Sequence, residues 1–468
     1  MRLWCRWFTC VERLRPACRR QRTFFWMVLV LAGLSTRPER AGITSLVRVL
    51  ELRERAYRRL LHLFHSSALD LELLTDLWTR LVLELCKPVR VGNRLVCLAD
   101  GIKVGKEGKK MPAVRSLYQS GGSNSKPPYI MGHSFQAISL LVRSVTGTVA
   151  AMPLTARIHE GLIFSNRDQR SLLDKMVTLL LSQTRLWEQP VVLIADAYYA
   201  SRKVILPLLK QGHQLITRAR INTVAYYPAS RPSKPRRGRP KLYGDKVRLR
   251  DLAEDLSQFE AAPSPIAGEH NVTLQYRCLD LLWRPVGRRV RFVIVHHPQR
   301  GTIFLMATDT ELDPLQILLL YSYRFKIEVG FKQALHVLGS YAYHFWMFDM
   351  TPIRARSGNQ HLHMKNDLYR QQVRRKMNAY HLHVQLSCIA QGLLQYLALN
   401  HGAMVWRQFR SWLRTMDPSR PPSELVTAYT LRDQLPEFLD ELAQDTNMKK
   451  FLRHFRRPKK RETIRRAA

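Results

Sequence analysis

Acidic residues are scarce in this chain, and its cysteines are few and irregularly spaced. Only 36 Asp and Glu stand against 75 Lys and Arg in 468 residues, which gives a formal charge of +39. A surplus of this size predicts a polyanionic partner, either nucleic acid or an anionic membrane surface. The seven cysteines contain no CxxC pair, which argues against a disulfide framework and a zinc site. They favour a reduced, cytosolic compartment.

The chain also lacks an apolar run long enough to span a bilayer. The run at residues 24–34 follows basic residues, as the core of a signal peptide does. It is too short to cross a membrane, which takes about 20 residues, and no small-residue cleavage site is evident before Arg37. We therefore predict a buried helix in an N-terminal helical region and no membrane partner. A higher affinity for anionic vesicles than for DNA would instead support a membrane-surface protein.

Two acidic residues stand at the ends of short apolar runs. Asp100 closes the run at residues 94–100, and Asp196 closes the run at residues 190–196. Runs of this length and composition predict buried strands. A carboxylate at the end of such a strand lies at the rim of a sheet, where ligands bind in α/β folds.

A third acid, Glu328, lies in a segment that we predict to be one helix. Tyr321, Arg324, Glu328 and Lys332 are spaced to share one face of that helix. The opposite face is predicted to pack against a core through Ile317, Leu318, Leu320, Phe325, Val329 and Leu335. An ordinary surface ladder of ion pairs is the alternative for this stripe. Three carboxylates that meet, however, have a reason to be close only if a divalent cation neutralises them.

The order Asp100, Asp196, Glu328, with the last acid inside Tyr-x-x-Arg-x-x-x-Glu, resembles the DDE-superfamily insertion-sequence transposases of the YREK-signature branch. The signature matches at Tyr321, Arg324 and Glu328. It departs at its final lysine, because Leu335 stands seven residues after the glutamate, and Lys332 is the basic residue on the same face. The likeness covers roughly residues 24–400, and the longer second gap between the acids is similar to the β-rich insert of that branch.

The resemblance implies a fold and a division of the chain. The fold is an α/β ribonuclease-H-like core, a mixed sheet flanked by helices, with a β-rich insertion and an N-terminal helical domain. The expected parts are an N-terminal DNA-binding helical region (1–90), the first part of the core (91–221), the insertion (222–313), the second part of the core with the catalytic helix (314–400), and a C-terminal helical segment with a basic tail (401–468).

The resemblance also implies an activity. Asp100, Asp196 and Glu328 would bind two Mg²⁺ ions, for which Mn²⁺ can substitute, and catalyse in-line displacement at phosphorus. Tyr321, Arg324 and Lys332 would contact DNA. The protein would cleave and join DNA at the ends of its own mobile element, as a homodimer on paired ends, in the nucleoid of a prokaryotic cytoplasm.

Two further features bear on partners. The insertion begins with a basic turn whose Arg237 and Arg239 flank a glycine, as in an AT-hook that enters a narrow minor groove, although a solvated basic loop explains it equally well. The pairs His361/His363 and His381/His383 lack cysteine or carboxylate partners at ligand spacing, so we predict DNA-contacting or surface histidines and not a zinc site.

Two other functions stay open at this point. A ribonuclease-H-like nuclease would share the acids but would not join strands. A catalytically decayed copy would keep the charge and the fold and bind DNA without cutting it, although all three acids are present in this sequence.

Overall fold

The chain begins with helices that form part of one continuous core. The structure is a computed structural model and describes residues 3–119, 127–230, 240–413 and 416–457. The first helices are α1 (Leu3–Glu12), α2 (Gln21–Thr36), α3 (Gly42–Val49), α4 (Arg55–His65) and α5 (Leu71–Leu85). The apolar run at residues 24–34 lies within α2, and each of its residues is buried. The predicted buried helix is therefore confirmed.

The next part of the chain builds the centre of a mixed sheet. Its elements are β1 (Lys87–Pro88), β2 (Arg90–Val91), β3 (Arg94–Gly105), β4 (Arg115–Tyr118), β5 (Tyr129–Arg143), β6 (Val149–Ile158), β7 (Leu162–Ile163), α6 (Leu172–Thr184), β8 (Val191–Ala195), α7 (Arg202–Lys210) and β9 (Gln214–Arg218). Strands β3, β8 and β9 are parallel neighbours, while β5 pairs antiparallel with β3, and β6 with β5. This order is the ribonuclease-H-like arrangement that we predicted.

Side chains at the helix starts explain where the two crossover helices begin. Ser171 and Asp174 form a reciprocal capping box at the start of α6. Ser201 accepts a hydrogen bond from the backbone N–H of Lys203 at the start of α7. These caps fix the ends of the connections that return the chain to the parallel strands.

The segment after β9 extends the same sheet. It contains β10 (Val224–Pro228), β11 (Tyr243–Arg248), α8 (Leu249–Glu254), β12 (Glu260–Pro263), β13 (Thr273–Trp283), β14 (Arg288–His297) and β15 (Gly301–Ala307). Strand β15 pairs antiparallel with β9, and β14 and β13 follow outward. The predicted fold class, a mixed sheet flanked by helices with added β structure and N-terminal helices, is confirmed. The boundaries between the five parts stay a prediction.

The remainder of the described chain is helical apart from one short strand. Its elements are α9 (Pro314–Ser322), α10 (Phe325–Gln333), a π-helical turn (Ala334–Leu338), β16 (Gln360–His361), α11 (Asp367–Asn400), α12 (Gly402–Gln408), α13 (Glu424–Asp433), α14 (Leu435–Leu442) and α15 (Thr446–Phe455). The rings of Trp4 and Phe438 stack with centroids 4.0 Å apart, which joins α1 to α14. The two ends of the described chain therefore share a core.

One prediction about helix α11 is wrong. The helix begins at Asp367, where the side chain of Asn366 caps it. His383 is a buried core residue, not a surface or DNA-contacting one, and its ring lies 3.1 Å from the backbone oxygen of Ser340. The ring of His381 accepts from the N–H of Ile158 across 3.1 Å. Polar pairing inside the core made these residues resemble surface residues in the sequence.

The predicted single helix through residues 321–332 is also wrong. A turn at Tyr323 and Arg324 separates α9 from α10, and the backbone bonds there run from residue i+3 to residue i. Such bonds rotate the chain by about 120° per residue where an α-helix rotates it by about 100°. Phe325 and Val329, predicted to be core residues, are consequently exposed, and Ile327 is buried in their place.

Among the described residues, no helix is sufficiently long and apolar to cross a membrane.

Candidate active site

The register of the parallel strands brings Asp100 and Asp196 to the same end of the sheet. Strands β3 and β8 pair from Leu95 with Val191 to Leu98 with Ile194. Two residues beyond the last pair, Asp100 and Asp196 occupy equivalent positions on these neighbouring strands. Both acids therefore lie at the same rim of the sheet.

The prediction that Asp100 ends its strand is wrong in one respect. Strand β3 continues to Gly105, because its antiparallel partner β5 is long enough to pair with it from Cys97 onward. Only the parallel ladder ends before Asp100, since β8 stops at Ala195. Asp100 thus lies where β8 has ended and β5 still pairs with β3.

Asp196 is held by the turn that it begins. Its side chain accepts a hydrogen bond from the N–H of Tyr198 across 3.0 Å and so caps a short 3₁₀ turn. Its backbone oxygen accepts from the hydroxyl of Thr217 on β9 across 2.6 Å. Both the side chain and the backbone of Asp196 are therefore fixed at the rim of the sheet.

Glu328 reaches the site on α10, together with Arg324 at the preceding turn. Arg324 Nη1 lies 3.1 Å from Asp100 Oδ2, and Arg324 Nη2 lies 2.5 Å from Glu328 Oε1. The guanidinium therefore bridges a carboxylate on β3 and a carboxylate on α10. Helix α10 is fixed on its other side by α11, where Gln391 Nε2 donates to the backbone oxygen of Gly330 across 2.9 Å.

The electrostatics of Asp100 follow from this crowding. The pKa of Asp100 is raised to about 6, chiefly by burial; the N–H of Gly101 and the guanidinium of Arg324 oppose the shift, and the carboxylates of Asp196 and Glu328 add to it. A buried carboxylate among other carboxylates is a place where added positive charge is stabilised.

Two residues beside the acids were missed by sequence reasoning. Tyr199 is buried, and its hydroxyl donates to Gln136 Oε1 across 2.9 Å. Burial raises the pKa of Tyr199 well above its usual value, and the charges of Asp100 and Asp196 raise it further. The available signal was an aromatic residue in the turn directly after a strand-end acid. Gln136 gave no signal, since its position opposite Gly101 comes from the β3–β5 register.

A third missed residue is Arg218 at the end of β9. Its positive charge, after that of Arg324, lowers the pKa of Tyr321, although burial raises that pKa overall. The charge of Asp196 raises the pKa of Tyr321 as well, so Tyr321 lies within reach of the same group of side chains. The signal for Arg218 was its place at the end of the strand that follows the Asp196 strand.

The other residues predicted to contact DNA lie at different places. Lys332 is exposed in the last turn of α10, one turn after Glu328. Leu335, which stands where the family signature has a lysine, is in the π-helical turn. Arg237 and Arg239 lie outside the described residues.

The donor set at this site fits a hard divalent cation. Asp100, Asp196 and Glu328 would offer oxygen ligands only, which suits Mg²⁺ or Mn²⁺. Within the described ranges, no group of three His, Cys, Asp or Glu side chains is arranged closely enough to hold a metal ion. Arg324, which bridges two of the three acids, provides the positive charge in this arrangement.

Comparison with known protein families agrees with this geometry. The sequence matches the family described as DDE superfamily endonuclease over residues 13–270, which is more than half of the chain. The chain belongs to the DDE superfamily endonucleases. No curated protein matches it.

Family membership supports a metal-dependent nuclease that acts on DNA. The matched residues of this chain include Asp100 and Asp196 and end before Glu328. The superfamily expected from the three acids is therefore confirmed. The family uses divalent metal ions, generally Mg²⁺, which agrees with the oxygen-only donor set at the rim of the sheet.

Proposed function

We propose that this DDE endonuclease is a DNA transposase of the YREK-signature branch, which cleaves and joins DNA at the ends of its own insertion sequence. The observation that carries the proposal is the arrangement of Asp100 and Glu328 around Arg324, with Asp196 beside Asp100 in the strand register. Acids on two adjacent parallel strands and on a helix after the β-rich segment are what this chemistry requires.

Asp100, Asp196 and Glu328 are the proposed ligands of the catalytic metal ions. Divalent metal ions bound there would act as Lewis acids on the attacking and leaving oxygens of an in-line displacement at phosphorus. Asp100 must be ionised to take part, and its raised pKa means that it holds its proton more tightly than an exposed aspartate does. The carboxylate of Asp196 is aimed by its hydrogen bond from Tyr198.

Arg324 is the proposed phosphate and carboxylate contact. Its planar guanidinium presents several N–H donors, two of which point at acids in this structure. When cations bind the acids, the same donors become available for a phosphate of the DNA strand. Lys332 is exposed on the same helix and would contact phosphate as a point charge, in place of the signature lysine that Leu335 replaces.

The partners follow from the charge and the reaction. A chain with a formal charge of +39 can neutralise many phosphates of the element ends and of the target DNA. We further propose that two copies act together, because joining both ends of an element requires two active sites that hold paired ends.

The test is a strand-transfer assay with supercoiled DNA that carries the element's flanking ends. With Mg²⁺ we expect cut ends and joined products, and with EDTA neither product. Cutting without joining would support a ribonuclease-H-like nuclease and reject the transposase. Binding without cutting under Mg²⁺ or Mn²⁺ would leave a decayed DNA-binding protein.

A further inference from the structure

Three aromatic side chains project from one face of the extended segment that follows the π-helical turn. Within residues 343–348, Tyr343, Phe345 and Met347 are buried, and the alternate residues His344, Trp346 and Phe348 are exposed. We call His344, Trp346 and Phe348 the aromatic strip. Trp346 is 62% exposed and Phe348 is 88% exposed, so large apolar rings stand in solvent.

The strip has a rigid base. The phenol oxygen of Tyr343 lies 2.7 Å from His133 Nδ1, and the hydroxyl of Tyr380 donates to the backbone oxygen of Phe345 across 2.6 Å. The N–H of Met347 donates to the backbone oxygen of Lys110 across 2.9 Å. Because the inward residues are fixed by these bonds, the alternate side chains His344, Trp346 and Phe348 are held facing the solvent.

Two contacts orient the exposed rings further. A Cβ atom added at Gly108 would lie 2.9 Å from Trp346 Nε1, so the indole approaches the backbone at a residue without a side chain. The ammonium of Lys110 lies 5.4 Å from the centroid of the Phe348 ring and donates to the backbone oxygen of Phe348 across 3.0 Å. The rings are therefore ordered before any partner arrives.

The charge around the strip favours a polyanion. Lys109 and Lys110 lie on the adjoining loop, and Arg354 and Arg356 follow the strip and are exposed. The N–H of Ile353 donates to the backbone oxygen of Lys109 across 2.7 Å, which holds the loop and the strip segment together. Two acids lie near the strip. Asp349 follows Phe348 in the sequence and accepts from Gln372 Nε2 across 3.2 Å, and Glu107 is near enough to His344 to act on its pKa.

We propose that the aromatic strip is a stacking site for unpaired DNA bases. Neighbouring exposed rings offer bases a π-face, and the flanking cations can contact the phosphates of the same strand, which is how proteins bind single strands without sequence readout. Burial lowers the pKa of His344, and the charge of Lys106 lowers it further, so that ring is neutral at physiological pH and stacks as an uncharged aromatic. The inference rests on the proposed function only in taking DNA as the polyanion.

The strip is joined to the end of strand β3, the strand that carries Asp100. Lys106 follows directly after β3, and its ammonium donates to the backbone oxygen of Tyr341, just before the strip. From Asp100 to Gly105, β3 extends about 17 Å. An unpaired strand leaving the acids along β3 would therefore reach the strip within a few nucleotides.

The test measures the binding of a short oligothymidine strand and of a duplex of equal length in EDTA, so that no cleavage interferes. For Trp346→Ala and for Phe348→Ala we expect the affinity for the single strand to fall about tenfold or more, with little change for the duplex. Trp346→Tyr should retain most of the affinity. Trp412→Ala is the matched control, because Trp412 is 81% exposed and lies outside the strip.

Three results would overturn the inference. The first is a loss no larger than that of Trp412→Ala, and the second is an equal loss for single strand and duplex. The third is a protein that self-associates through Trp346 and binds the oligonucleotide unchanged. Asp196→Asn separates the two proposals: it should abolish cleavage and leave the single-strand affinity as it is. If Trp346→Ala leaves both strand transfer and single-strand binding unchanged, the stacking site is rejected and the proposed transposase is not.

Discussion

Arg324 donates to Asp100 across 3.1 Å and thereby ties the turn before α10 to strand β3. Asp100 and Arg324 are far apart in the sequence, and their pairing closes the site because the same guanidinium also contacts Glu328. A shared arginine keeps the half-buried carboxylate of Asp100 and the exposed carboxylate of Glu328 compatible with each other. It also holds the helix that carries Glu328 against the sheet.

Replacing Arg324 by lysine should lower the cleavage rate about 10- to 100-fold, since an ammonium cannot make both contacts and one lost charge-assisted bond is worth about 1.5–3 kcal/mol. Cleavage of supercoiled DNA in Mg²⁺ measures the effect. Arg202→Lys, at an exposed position on α7, is the control. Equal rates for the two variants would show that the forked geometry of Arg324 has no role.

Added Mg²⁺ should stabilise the protein more at pH 8 than at pH 5. The pKa of Asp100 is raised to about 6, so its contribution to stability without metal is complete below about pH 4 and is lost as the pH rises through about 6. Bound Mg²⁺ needs the ionised form and offsets that loss, by about 1.4 kcal/mol when Mg²⁺ is tenfold above its Kd.

Thermal unfolding with Mg²⁺ or EDTA at both pH values checks this prediction. In Asp100→Asn the difference between pH 5 and pH 8 should largely disappear. A shift of equal size at both pH values in the unmodified protein would contradict the link between Asp100 and the metal.

Lys332→Ala should weaken DNA binding at every sequence and reduce the slope of log K against log salt by about 1, as expected for the loss of one phosphate contact. Binding of the element end across a range of salt concentrations measures the slope. Lys210→Ala, at the exposed end of α7, should leave it unchanged. If both variants behave alike, Lys332 does not replace the missing signature lysine.

Arg37→Met should destabilise the fold by about 3 kcal/mol, because charged hydrogen bonds are worth about 1.5–3 kcal/mol and carbonyls left unpaired in the core add a cost. Arg37 is 2% exposed and donates to the backbone oxygens of Leu338 and Gly339, at the end of the segment that begins with α10. Urea unfolding measures the loss. Arg48→Met, at a largely exposed arginine, should cost little, and an equal cost for both would refute this anchoring.

The sequence predicted the elements whose signal is local. Asp196 at the end of an apolar run and the buried run in α2 both depend on short stretches, and the structure contains each of them. The stripe of Tyr321, Arg324 and Glu328 was also visible in the sequence, but its helix was not continuous.

What the sequence could not predict depends on pairing across the fold. The place of Asp100 within β3 is set by the length of β5, and the buried pair Tyr199 and Gln136 is set by how the turn after β8 packs on β5. Likewise, the polar first half of α11 is held in place by distant parts of the chain. Lys376 Nζ, for example, lies 2.9 Å from His65 Nε2. The spacing of apolar residues along a short stretch of sequence does not indicate contacts between distant parts of the chain.

Asp196→Asn tests the central claim most directly, by cleavage of DNA bearing the element ends in Mg²⁺, with Asp245→Asn at an exposed acid on β11 as the control. Substituting an amide keeps the size of the side chain and removes the charge that a metal ion needs. We expect Asp196→Asn to bind the DNA as the unmodified protein does and not to cut it, while Asp245→Asn binds and cuts. Cutting by Asp196→Asn at the unmodified rate would contradict the assignment of the three acids to the chemistry.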